Sequence, residues 1–244
     1  MEFINHKVTE AVCAFRFDPK LNNWDITSFA DYYNKIKGLP LGFDKKQEIK
    51  PMQFNFQFRN NEPSVNQVLE GETKMVFKNK DENYAILLGN NYISFHTLNH
   101  YPGWDVFKND LIAPSLEKYY SLGLGMGLTS AQMIYINNFD ISQNEHLHEY
   151  LTFLPNMEQF GEGEELSHMF NSTYRISPNK QLQLKTILNV HEPDHIKKVT
   201  LECNCIANNI VNEKDWITLS NDAHDHAKEA FFQISSTHFK DKIK

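Results

Sequence analysis

The densest run of groups that could do chemistry is Asp222-Ala223-His224-Asp225-His226. On a helix, His224 and His226 point about 200° apart and cannot converge on one ion. Asp222 and His226 are four residues apart and can share a face, as can Asp225 and Glu229. Two ligands are too few for a closed site, and acidic residues early in a helix also complement its dipole. The run reads first as a polar opening turn. A metal-assisted hydrolase or nuclease using Asp222 and His226 is the alternative.

His191, His195, Cys203 and Cys205 are zinc-ligand types. Pro193 places the two histidines in a turn, and Cys203 lies roughly 26 Å beyond His195 at strand rise. That separation excludes one four-ligand site, whose ligands must all sit about 2.0–2.3 Å from the metal. Cys203 and Cys205 share a strand face and read as core residues. His146 and Glu149 are three apart on a short helix with His148 between them, and no nucleophile is paired with them. They read as a solvated helix face. Gly123, Gly125 and Gly127 follow a helix and precede a strand. Phosphate-binding glycine loops run in the opposite order, so these read as a helix stop and a hinge. No metal and no cofactor is expected from these patterns.

Arg16 stands apart. It shares a strand face with Val12 and Ala14, while Cys13, Phe15 and Phe17 take the other. An arginine on a central strand pairs with a neighbouring carboxylate or receives a ligand carboxylate or phosphate. Tyr101 and Trp104 open a helix and offer either packing or one wall of an aromatic pocket.

The elements that must position these residues can be read along the chain. Val8–Phe17 is a strand ended by Asp18-Pro19. Trp24–Ile36 carries Ile26, Phe29, Tyr33 and Ile36 at helical spacing, with Gly38 as its stop. Phe54, Phe56 and Phe58 alternate with polar residues from Met52 onward, a strand with one buried and one wet face. Strands over 74–78, 84–88 and 92–98 follow, joined by Asn-rich turns. A helix from Trp104 to Leu122 contains Pro114, which predicts a kink. Strand 131–139, helix 144–154, an acidic loop Glu158–Glu165, strands 167–176, 181–190 and 197–207, and a helix within 216–243 complete the series. In that last helix Ala223, Ala227, Ala230, Phe231 and Ile234 share a face.

The order predicts an α+β protein of two similar β-α-β(3-4)-α lobes, 1–125 and 126–244, forming one integrated unit. Each lobe is an antiparallel sheet with helices on one face. A TATA-binding-protein-like duplication and a helix-grip arrangement are the two options.

With 244 residues, 41% of them hydrophobic and 18 Phe, the chain can bury a substantial core. Its formal net charge of -7 removes the driving term for nonspecific nucleic-acid binding. Three cysteines build no secreted disulfide framework, and no apolar run is long enough for a bilayer. A cytoplasmic protein with no membrane association is expected.

Three segments carry a family resemblance: Thr9-Glu10-Ala11-Val12-Cys13-Ala14-Phe15-Arg16-Phe17, the Tyr-x-x-Trp-x-x-Phe of Tyr101, Trp104 and Phe107, and Tyr135-Ile136-Asn137. Together they resemble a sporadically distributed, functionally uncharacterised family of bacterial and archaeal proteins of about this size. The pattern departs at Ile134, where that family often carries an arginine. Its patchy distribution resembles that of mobile or defence-associated genes.

The expected function is therefore a non-enzymatic protein that binds a small molecule or a protein partner. Its candidate binding residues are Arg16, Tyr101, Trp104, Tyr135 and Asn137. A homodimer joined through an exposed sheet edge is a further option.

Overall fold

A computed structural model describes residues 8–21, 23–49, 53–59, 62–68, 72–154, 167–191, 196–211 and 215–242. Met52, His195 and the acidic loop Glu158–Glu165 lie outside them, as does the burial of Phe54, Phe56 and Phe58. The chain runs β1 (Val8–Phe17), α1 (Ser28–Ile36), β2 (Phe43–Ile49), β3 (Gln53–Arg59), β4 (Glu62–Val68), β5 (Lys74–Asn79), β6 (Tyr84–Gly89) and β7 (Tyr92–Leu98). Then come α2 (Trp104–Val106), a π-helical segment Phe107–Ile112, α3 (Ala113–Tyr120), β8 (Leu128–Ile141), α4 (Leu147–Tyr150), β9 (Ser167–Ser177), β10 (Lys180–His191), β11 (Ile196–Val211), α5 (Trp216–Ile234) and α6 (Thr237–Lys242).

Nine strands form one antiparallel sheet in the order β2-β5-β6-β7-β1-β8-β11-β10-β9, and β3 and β4 pair separately. The protein is thus α+β with one large antiparallel sheet and few helices. The first strand of each half, β1 and β8, lies at the centre, and the two pair directly. Two strands escaped the periodicity. β2 is FDKKQEI, an edge strand whose charged residues erase any apolar alternation, and β4 contains Pro63.

Helices pack on one sheet face. Phe15 and Phe17 of β1, Phe95 of β7, Met133 and Tyr135 of β8 and Ala223 and Ala227 of α5 share one core with α1 and α3. A second core joins Phe139, Leu184, Leu201 and Cys203 to α4, the end of α5 and α6. Cys203 and Cys205 are both fully buried.

Local chemistry explains the element boundaries. α1 begins at Ser28 rather than Trp24 because Asp25 Oδ1 accepts the N–H groups of Thr27 (2.7 Å) and Ser28 (3.2 Å). Tyr32 therefore faces the core, while Ile26 is 70% exposed. Where Pro114 predicts a kink the helix carries a π turn: Ala113 N–H reaches Lys108 O just before the proline that cannot donate. The last helix breaks at Ser235, which is extended and bridges Leu151. Lys242 on α6 binds Glu145, and this hydrogen bond holds the Glu145 carboxyl down at about 2. Among the described residues, no helix is long and apolar enough to cross a membrane.

Candidate functional site

The sheet separates two constellations. Alternation in β1 puts Ala11, Cys13, Phe15 and Phe17 beneath the helices and Val12, Ala14 and Arg16 on the opposite face. Register then fixes the neighbours of Arg16. It pairs with Tyr92 on β7 and Ser130 on β8, and Tyr92 pairs with Gly89 on β6. Gly89 has no side chain, so the stem of Lys74 passes over it, its Cγ 3.5 Å from where a Cβ would stand. Two cations consequently meet one ring. Arg16 Cζ is 5.0 Å and Lys74 Nζ 5.1 Å from the Tyr92 centroid. Neither forms an ion pair with a described carboxylate. Burial raises the Tyr92 pKa, partly offset by a hydrogen bond with Ser94 and by the charge of Arg16.

Tyr92, Ser94 and His96 are alternate residues of β7 and continue this site along the strand. Ser94 Oγ lies 2.9 Å from His96 Nε2, and His96 Nδ1 lies 2.8 Å from Glu10 Oε1. This is the connectivity of a serine–histidine–carboxylate triad. Two features argue against a nucleophile. Ser94 is fully buried, and β7 pairs on both sides, with Ala14 and Leu87 opposite Ser94. The strand amides are thereby committed to the ladder and leave no oxyanion site. The hydrogen-bonded run Ser94–His96–Glu10 instead lines the same sheet face beside Tyr92 and Arg16. A fluorophosphonate probe is expected to leave Ser94 unmodified by intact-mass measurement. Ser94→Ala is expected to cost about 1 kcal/mol through the orphaned His96 nitrogen. A stoichiometric adduct absent from Ser94→Ala would reverse this reading.

On the helix face, Tyr101, Trp104 and Tyr135 come together around a histidine. Tyr101 Oη is 2.9 Å from Tyr135 Oη, and Tyr135 Oη is 2.5 Å from His224 Nδ1. The Trp104 indole stacks on the His224 ring at 4.8 Å and 9°, and its N–H donates to Asn221 Oδ1 at 2.8 Å. Positive-φ Gly103 turns the chain so that Trp104 starts the helix in contact with α5. Burial pushes the phenols of Tyr101 and Tyr135 up. It pulls His224 down to about 4, against the opposing pull of Asp225. A neutral His224 accepts or donates at Nδ1 according to tautomer, and Nε2 sits 3.8 Å from Asp225 Oδ1 at the surface. With Tyr101 and Tyr135 6% and 4% exposed, the cluster is a packed hydrogen-bonded lock between the halves of the chain.

Of the five residues singled out from sequence, three thus meet on the helix side. Asn137 follows on the same face of β8, buried, its Nδ2 donating to Leu201 O at 3.4 Å. Arg16 stands across the sheet from all of them. Asp222 is taken up by Lys180 (2.7 Å), and His226 Nδ1 binds the Asp222 carbonyl at 2.9 Å. Among the described residues, no group of three or more His, Cys, Asp or Glu could hold a metal. His146 and Glu149 form a capping box at α4. Sequence reasoning missed Tyr92, Lys74, Ser94, His96 and Glu10. The available signal was the polar alternation Ser94–His96 on one face of β7. Neither a family model nor a curated protein matches the chain.

Proposed function

We propose that this is a non-enzymatic binding protein that takes a small anionic ligand, a carboxylate or phosphate, at Arg16, Lys74 and Tyr92. The observation that carries this reading is the pair of cations held against one tyrosine without a described carboxylate between them. Both lie about 5 Å from the same centroid, so their charges are at most about 10 Å apart and repel. An anion at the edge of the ring would relieve that repulsion and receive the planar donors of Arg16. The patch is also set in a protein of net charge -7, so its sign is local. Engagement of Asp222 by Lys180 favours this reading over metal-assisted hydrolysis at Asp222 and His226.

The same proposal takes the two halves as a structural duplication. The sheet order supports it: β1 and β8 are central, β7 and β11, the last strands of each half, flank them, and β6 and β10 follow. A cytoplasmic setting and kinship with the patchily distributed prokaryotic family belong to the proposal too.

Calorimetric titration with inorganic phosphate and with succinate tests the site. Binding of either is expected to weaken at least tenfold in Arg16→Ala, roughly the 1.5–3 kcal/mol of a hydrogen bond to a charged group. The affinity is also expected to fall as salt rises. Equal affinity in wild type and Arg16→Ala, or no binding of either anion, counts against the site.

A further inference from the structure

The two edges of the nine-stranded sheet are built differently. β2, at one end, carries Asp44, Lys45, Lys46 and Glu48 within seven residues, and its pairing is bulged between Phe43 and Lys45. Lysines and a bulge on an edge strand are the usual means of preventing another strand from adding. β9, at the other end, is less guarded: its pairing with β10 is regular from Ser167 to Arg175 and is bulged only at Ile176, near its end. Its eleven residues, SHMFNSTYRIS, hold a single Lys, Arg, Asp or Glu, namely Arg175, and no proline. Met169 is 75% exposed, and Tyr174 and Ile176 are exposed large apolar residues on the same strand. Among the described residues, no strand pairs with its outer side.

The strand is also complementary to itself. Antiparallel pairing about Ser172 engages the regular stretch of β9, Met169 meeting Arg175. Phe170, Ser172 and Tyr174 face the helix side, since Phe170 packs on the second core and Ser172 and Tyr174 pair with Leu184 and Leu182. In that register Phe170 opposes Tyr174, an aromatic cross-strand pair of the stabilising kind. On the open face Asn171 opposes Thr173, and the thioether of Met169 opposes the stem of Arg175. No like charges meet, and both helix layers stay on one side of the joined sheet.

We propose that two copies of this chain join through β9, antiparallel and centred on Ser172, so that their sheets run on into one another. The contact is isologous, as a two-fold dimer requires. It leaves Arg16, four strands inward, outside the interface.

Light scattering on the full chain is expected to give twice the 28.5 kDa of one copy. Ser172→Lys sets two ammonium groups opposite each other only in the dimer, so it is expected to give a folded monomer whose melt is cooperative and no longer depends on protein concentration. Ser172→Cys is expected to yield a disulfide-linked dimer on a non-reducing gel, because paired Cα atoms of about 4.5–5.5 Å suit a disulfide. The native cysteines are all buried, so they give no background. Lys46→Cys on β2 is expected not to cross-link. A wild-type monomer at every soluble concentration overturns the proposal. So does a dimer that survives Ser172→Lys, or one in which Ser172→Cys fails to cross-link. Anion titration of the Ser172→Lys monomer separates this outcome from that of the Arg16 site.

Discussion

Between pH 6.5 and about 4 the protein is expected to lose about 3 kcal/mol of stability through His224 alone. The imidazole is packed between Trp104 and Tyr135, and burial is the main reason its pKa falls from 6.5 to about 4. Lys228 and Lys108 push the same way, and Asp225 and Asp105 oppose them. In the unfolded chain the ring takes a proton below 6.5, whereas the folded chain refuses it until about 4. The unfolded state therefore binds more protons across that window, and stability rises with pH through it. The contribution is complete above 6.5 and gone below about 4. Urea denaturation at pH 7 and at pH 4.5, in wild type and in His224→Gln, isolates it, since other carboxylates titrate alike in both. The glutamine retains a polar group for Tyr135 and cannot titrate, so its loss between pH 7 and 4.5 is expected to be smaller by about 2.4 kcal/mol. An equal loss in the two proteins would show that His224 is not the group responsible.

The same cluster shows how far residues could be read without coordinates. Tyr101, Trp104 and Tyr135 were legible as a group because each sits at an element start or a strand centre, where side chains converge. His224 was not, because its place was judged only against its helical neighbours, and its real partner lies 89 residues away. The Glu10–His96 contact spans 86 residues, and only the β1–β7 register brings it about. Arg16 was recognisable as a lone charge on a central strand. Tyr92 and Lys74 were not, since their approach depends on a glycine one strand over. The long strands of the second half were readable to within a few residues because β8, β10 and β11 bury one face against helices and β9 still alternates toward that side. Position in the sheet was hidden for a different reason. Edge and centre differ in what the backbone meets, which a strand's own residues record only through devices such as the lysines of β2.

Gly125→Ala is expected to cost about 3 kcal/mol, the largest effect among the glycines that join α3 to β8. Two penalties combine there. Gly125 has φ +82°, and an L-residue in the left-handed region costs about 1–2 kcal/mol. A Cβ at this position would also stand 2.6 Å from Tyr120 Cε1 and 2.8 Å from Tyr119 Cε1. Tyr119 cannot give way, being fully buried with its ring against Phe17 at 5.4 Å and Tyr32 at 6.0 Å. Forcing a carbon into such packing adds roughly 1–3 kcal/mol. Gly123, at φ +72°, has nothing within 4 Å of its Cβ position, so Gly123→Ala isolates the backbone penalty at about 1 kcal/mol. Gly127→Ala is expected between the two. Its Cβ meets Leu21 Cδ1 at 2.8 Å, the flexible end of an exposed side chain, although Asp18 Cβ stands at 3.1 Å. Urea midpoints for the three variants give the order directly, and a Gly125→Ala no worse than Gly123→Ala would remove the packing account. The ordering matters for the whole sheet. Gly127 O accepts the Asp18 N–H at 2.8 Å beside the first β1–β8 pairs, so this turn sets where the two halves of the chain begin to pair.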